Sequence, residues 1–169
     1  MELYFFNTKR DDFTKSLHNL LGASKDPRRR ISKSYTEGAC VLCVSYPPYI
    51  VGVDIELQQK RSLEAMEHFA QIFSTFEIKD VPDKIDESWF YKAWTAMESY
   101  FKLSGKGFST PKDFLLDLNN QSIWREGKEI AWFEYFEIEN YLVCLCSKEK
   151  FSRQSVDVAT VHLSSHFMI

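Results

Sequence analysis

Apolar and polar positions change period twice along the chain, from strand-like blocks to helical ones and back again. The opening Leu3-Tyr4-Phe5-Phe6 is a short aromatic segment, followed by Phe13, Leu17, Leu20 and Leu21 at the spacing of a short helix that Gly22 can end. Residues 22–37 are polar and basic, contain Pro27 and show no period, so they read as a loop. Apolar runs over 39–46 and 50–57 read as strands, and with Pro47-Pro48-Tyr49 between them they predict a hairpin. Ser62 can cap a helix over 63–76, on which Leu63, Met66, Phe69, Ala70, Phe73 and Phe76 share a face. A second helix is predicted over 87–104, with Asp86 as cap, Gly105 as stop and a stripe of Phe90, Ala93, Trp94, Met97 and Phe101. Strand-like runs follow at 113–118, 130–138 and 141–147, with Asn119-Asn120 and Glu139-Asn140 as turns, and 156–163 can add a last strand.

Strands, then helices, then strands predict an α+β fold with antiparallel sheets. At 169 residues the chain can hold one well-buried core or two small packed halves. The linker-like VPDKID at 81–86 places the boundary of such halves, giving residues 1–82 and 83–169.

Composition narrows the functional classes. A formal charge of −3 gives no overall attraction to nucleic acid or anionic membrane, which leaves Lys25, Arg28, Arg29, Arg30 and Lys33 as the one local basic cluster. The N-terminal residues lack the basic start and cleavage site of a signal peptide, and no apolar run is long enough to span a bilayer. A cytoplasmic protein with neither nucleic-acid nor membrane partners is expected. Cys40 and Cys43 lie three apart on a strand and so face opposite ways, which does not suit a shared ion. Together with Cys144 and Cys146 they are expected to be buried thiols of a reducing compartment.

Chemistry concentrates in two stretches. In Val51-Gly52-Val53-Asp54-Ile55-Glu56 the two carboxylates and the glycine share one strand face. Either that face meets water, or it forms a hard-cation site in which Gly52 lets a ligand come close. In Trp94-Thr95-Ala96-Met97-Glu98-Ser99-Tyr100-Phe101-Lys102, Glu98 and Lys102 share one side of a helix beside its apolar stripe. They are a solvated pair, or they line a cleft with Glu98 as third ligand or base and Lys102 facing phosphate. No histidine pair of the zinc-hydrolase kind, phosphate-binding glycine loop or nucleophile elbow is present.

These two stretches, followed by Gly105-Lys106-Gly107-Phe108, resemble the signature of the 4′-phosphopantetheinyl transferase superfamily, in particular the class that activates carrier domains of peptide and polyketide synthetases. That signature is G-[IV]-D-x-E and, after an intervening helix, W-[ST]-x-K-E-[AS]-x-x-K and then G-K-G-[LF]. The stretch Glu67-His68-Phe69-Ala70 is similar to the family's intervening segment. The resemblance implies a transferase of the holo-[acyl-carrier-protein] synthase type. It moves the phosphopantetheine arm of coenzyme A to a serine of an acyl or peptidyl carrier protein and releases adenosine 3′,5′-bisphosphate. It implies Mg²⁺ on Asp54, Glu56 and Glu98, Glu98 or a metal-bound water as base, and Lys102 on the leaving phosphate. Arg28, Arg29, Arg30, Lys33, Tyr35 and Thr36 stand where the family binds its coenzyme. The implied fold is a pseudo-two-fold pair of small α/β halves with the site in their seam, and one chain holding both halves is expected to be a monomer. Two positions depart from the pattern: Ser34-Tyr35-Thr36 replaces Ser-His-Ser, and Met97 replaces the lysine before the glutamate. The alternative they raise is a weakened member that binds coenzyme A or a carrier domain without transfer.

Overall fold

Two seven-residue strands, β3 (Ala39–Ser45) and β9 (Tyr141–Ser147), are buried along their whole length. Continuous apolar runs of this kind need cover on both faces, and each strand sits inside its own sheet. The computed structural model describes residues 1–8, 13–14, 26–62, 64–66, 68, 76–105 and 114–161. Besides β3 and β9, the described strands are β1 (Glu2–Asn7), β2 (Arg30–Thr36), β4 (Val51–Leu57), β5 (Phe76–Ile78), β6 (Phe114–Asp117), β7 (Ser122–Arg125), β8 (Lys128–Ile138) and β10 (Asp157–Val161). One long helix, α1 (Glu87–Ser104), lies between β5 and β6 in the chain.

Among the described residues the strands form a four-stranded sheet of order β10-β1-β3-β2 and a six-stranded sheet of order β4-β9-β8-β7-β6-β5. Pairing is antiparallel except for β1 with β10 and β5 with β6, so the expected antiparallel sheets each carry a parallel strand at one edge. Leu3, Phe5, Val41 and Cys43 of the first sheet pack with Val51, Val53, Ile55 and Val143 of the second. On its other face the second sheet, through Phe133, Leu142, Cys144 and Cys146, packs against Phe90, Ala93, Met97 and Phe101 of α1. On the other face of the first sheet Phe6, Cys40 and Leu42 pack with Phe13. None of the four cysteines is in a disulfide, and Cys40 and Cys43 fall in different core clusters, as their spacing requires.

The caps of α1 are those the sequence predicts. Asp86 accepts a hydrogen bond from the Trp89 N–H at 2.7 Å, and Gly105, at φ 67°, donates its N–H to the Phe101 carbonyl. Burial goes beyond the predicted stripe, however, to Tyr91, Thr95, Ala96, Ser99, Tyr100 and Leu103.

Several expectations are corrected. The predicted hairpin over 39–57 does not form, because β3 and β4 belong to different sheets. β4 instead takes β9 as its backbone partner, and its valines pack against the face of the first sheet rather than on an edge. Residues 30–36 are strand β2 and not loop, because their polar side chains serve as hydrogen-bond partners for β4. Strand β7 has no counterpart among the predicted runs, and the helix predicted to reach residue 76 stops short of it, since Phe76 opens β5. Residues 64–66 and 68 are helical, as are 13 and 14. The predicted helical positions Leu17, Leu20 and Leu21, the stop Gly22, the basic Lys25, the motif residues Glu67, Phe69 and Ala70, and Lys106 to Phe108 lie outside the described residues. Of the halves expected from sequence, residues 1–82 contribute β4 and β5 to the second sheet and residues 83–169 contribute β10 to the first. Among the described residues no helix is long and apolar enough to cross a membrane.

Candidate active site

β4 is buried on both faces over its first five residues. With Val51, Val53 and Ile55 turned into the intersheet core, the pleat directs Gly52, Asp54 and Glu56 toward α1. A Cβ at Gly52 would lie 1.9 Å from the Ser99 carbonyl oxygen and 2.5 Å from the Leu103 nitrogen. The close approach that glycine permits is therefore that of the helix backbone and not, as the sequence suggested, of a ligand. That contact carries the acidic residues of β4 to the Trp94, Glu98 and Lys102 side of α1.

Asp54 is buried at 3% exposure. Its Oδ1 accepts hydrogen bonds from the Lys102 ammonium at 2.6 Å and the Ser34 hydroxyl at 2.8 Å. Lys102 also donates to Ser34 Oγ at 2.6 Å, closing a three-membered ring of contacts. Asp54 Oδ2 is buried and has no hydrogen-bond partner among the described residues. Burial pushes the Asp54 carboxyl above its ordinary range, against the pull of Lys102 and Ser34. Glu56 accepts from Trp94 Nε1 at 2.9 Å. Its pKa is pushed up to about 7 by burial and the neighbouring Asp54 charge, with Glu98 adding to the rise and Trp94 and Arg61 opposing it. The Glu98 carboxyl is raised by burial and by Asp54, and drawn down by Lys102.

Three carboxylates with raised pKa values, Glu56 and Glu98 both feeling the Asp54 charge, carry negative charge that one divalent cation would neutralise, and an orphaned buried oxygen is the kind of group such a cation satisfies. The donor set fits Mg²⁺, which prefers oxygen ligands and retains waters of its own. It is not a closed cage: among the described residues no three Asp, Glu, His or Cys side chains are gathered tightly enough to enclose an ion. Lys102 holds one oxygen of Asp54, and Trp94 holds one of Glu56.

The residues proposed from sequence for the coenzyme do not converge on one point. Arg28 is clamped by Asp26 through two side-chain bonds of 3.1 and 2.9 Å, and Arg30 donates to the Pro27 and Arg29 carbonyls. Arg29 follows Arg28 in the turn before β2. The Lys33 ammonium lies 5.7 Å from the Tyr35 ring centroid, and Tyr35 packs edge-on against Phe13, away from the carboxylates. Thr36 Oγ1 accepts from the Leu57 N–H at 3.4 Å. Met97 is fully buried in the α1 core, so the second departure from the family pattern removes nothing that faces the acidic cluster.

Ser34, Trp94 and Arg61 contribute to the site in ways the sequence reading did not assign. Arg61 donates through Nε to Tyr91 Oη at 2.8 Å and, with Glu56, Phe90, Tyr91 and Trp94, lines a cavity of about 60 Å³. A signal for Ser34 existed in the alternation Ser32-Lys33-Ser34-Tyr35-Thr36, which places three hydroxyls on one strand face. Arg61 carries no comparable local signal.

Residues 50–150, a span that includes β4, α1 and β9, match the family model described as the 4′-phosphopantetheinyl transferase superfamily. The chain is also similar to the 4′-phosphopantetheinyl transferase Sfp of Bacillus subtilis (strain 168), at 37% identity over 79 residues. That alignment covers 45% of this chain and 34% of the relative, so the match spans about a third of the relative's length.

Proposed function

Because the chain belongs to the 4′-phosphopantetheinyl transferase superfamily, we propose that it transfers the phosphopantetheine arm of coenzyme A to a serine hydroxyl of an acyl or peptidyl carrier protein. The observation that carries this reading is the buried, unpartnered Oδ2 of Asp54 beside two further carboxylates whose pKa values are raised. Asp54, Glu56 and Glu98 would hold Mg²⁺, whose charge offsets the repulsion between a pyrophosphate and an incoming oxygen.

The chain's own groups account for the rest. A carboxylate with a raised pKa takes a proton more readily than an ordinary one, which suits Glu98 as the base for the carrier serine. The Lys102 side chain is 31% exposed while its ammonium lies on Asp54, so one cation restrains that carboxylate and is near enough to solvent to meet the leaving phosphate. Arg28, Arg29, Arg30, Lys33, Tyr35 and Thr36 remain the proposed coenzyme edge, running along β2 and the turn before it. The seam between β4 and α1 is complete within one chain, which supports a monomer. Buried thiols outside any disulfide support a cytoplasmic location.

The test is intact-mass analysis of an apo carrier protein incubated with coenzyme A, Mg²⁺ and this chain. A gain of one phosphopantetheine that disappears with Glu98→Ala is the expected result. Coenzyme binding with no mass gain in the wild-type chain would refute transfer.

A further inference from the structure

We infer that Ser34 is a positioning residue of this site: its hydroxyl holds Lys102 on one oxygen of Asp54 and thereby keeps the other oxygen available to a divalent cation. The inference rests on the metal reading proposed above.

The contact between β2 and β4 is unusual in its chemistry. The two strands belong to different sheets, and side-chain hydroxyls supply the hydrogen bonds recorded between them. Ser32 Oγ accepts from the Val53 N–H at 2.9 Å, and Thr36 Oγ1 accepts from the Leu57 N–H at 3.4 Å. These outer rungs fix β2 along β4 by satisfying backbone groups on its outer edge. Ser34, the rung between them, is spent differently, donating to the Asp54 carboxylate and accepting from Lys102.

A hydroxyl has one proton and two lone pairs, so it can fill both roles at once. The geometry uses both on the same side: Lys102 and Ser34 converge on Oδ1 at 2.6 and 2.8 Å, and Oδ2 is left without a partner among the described residues. Ser34 is 4% exposed and Asp54 3%, so solvent does not supply this bond in its place. An ammonium has three donors and no preferred plane. With the serine hydroxyl gone, Lys102 is free to straddle both oxygens of Asp54 and cap the one the cation needs.

The experiment measures Mn²⁺ binding to the full chain by the electron paramagnetic resonance signal of the unbound ion, with no coenzyme or carrier protein present. Circular dichroism confirms that each variant is folded. Ser34→Ala is expected to weaken Mn²⁺ binding about tenfold, the scale of one hydrogen bond to a charged group. Ser34→Thr keeps the hydroxyl and recovers most of the loss, while Ser32→Ala removes a neighbouring rung and stays within about twofold of wild type. Unchanged binding in Ser34→Ala, an equal loss in Ser32→Ala, or no recovery in Ser34→Thr overturns the inference. Failure of the wild-type chain to bind Mn²⁺ refutes instead the metal reading beneath it.

Discussion

Replacing Gly52 with alanine adds one carbon where β4 and α1 meet. The new Cβ would lie 1.9 Å from the Ser99 carbonyl oxygen, against the 3.4 Å at which ordinary contact begins, a deficit of about 1.5 Å. Its second neighbour, the Leu103 nitrogen at 2.5 Å, is also backbone, so no side chain can swing aside. Overpacking a well-filled core costs roughly 1–3 kcal/mol when side chains share the strain. Here strand and helix must part as units, which places Gly52→Ala at about 3 kcal/mol or more, a large share of a typical domain stability of roughly 5–15 kcal/mol. Gly105→Ala is the control. A Cβ added at that glycine would meet nothing within 4 Å, leaving only its φ of 67° to defend, so its substitution should cost about 1–2 kcal/mol. Urea unfolding gives both numbers. Carrier modification at a temperature where Gly52→Ala is still folded should fall further than its stability does, because withdrawing α1 carries Glu98 and Lys102 away from Asp54. A Gly52→Ala variant within about 1 kcal/mol of wild type would refute the claim that this contact sets the site.

Two further outcomes follow from the charges. Glu56 rises from the usual 4.5 to about 7 in the folded chain, so the folded state binds its proton more tightly than the unfolded state does. The stability this contributes is present below pH 4.5 and is lost as pH climbs through 7, a swing of about 3 kcal/mol, with Asp54 and Glu98 shifted in the same direction. In chelator, the urea midpoint should therefore be lower at pH 8 than at pH 5, and Glu56→Gln should remove much of the difference; a higher midpoint at pH 8 contradicts the assignment. Trp94→Phe deletes the N–H that stabilises the Glu56 anion and should raise the Glu56 midpoint by about one unit, read by carbon NMR of labelled glutamate. A fall in that midpoint would show that Trp94 does not act on Glu56 in this way.

The elements most legible in the sequence were those whose determinants are local. Asp86 and Gly105 mark the ends of α1 because a cap is a bargain between neighbours in the chain. The alternation in β4 was visible too, but its partner was not: a hairpin with β3 is the nearest local solution, whereas Asp54 lies opposite Cys144, far down the chain. β2 has the polar pattern of a loop because its side chains answer to β4 rather than to solvent. Of the site, the acidic residues and Lys102 stand out by type and spacing. Gly52 stands out in the pattern as well, but whether a ligand or the helix backbone fills the space beside it is decided by packing. Arg61 acquires its place only when the chain folds back onto Tyr91, so no nearby pattern betrays it.

The pairing of β4 with β9 also sets a clock on synthesis. Residue 54 leaves the ribosome 90 positions ahead of its partner at 144, an interval of roughly 5–20 s at ordinary translation rates. Throughout it the nascent chain carries an apolar β-segment without the strand that pairs with it, a ready substrate for chaperones and for wrong pairings. The sheet that backs the acidic cluster is therefore complete only after β9 has emerged, so catalysis, on this reading, is among the last properties a growing chain acquires.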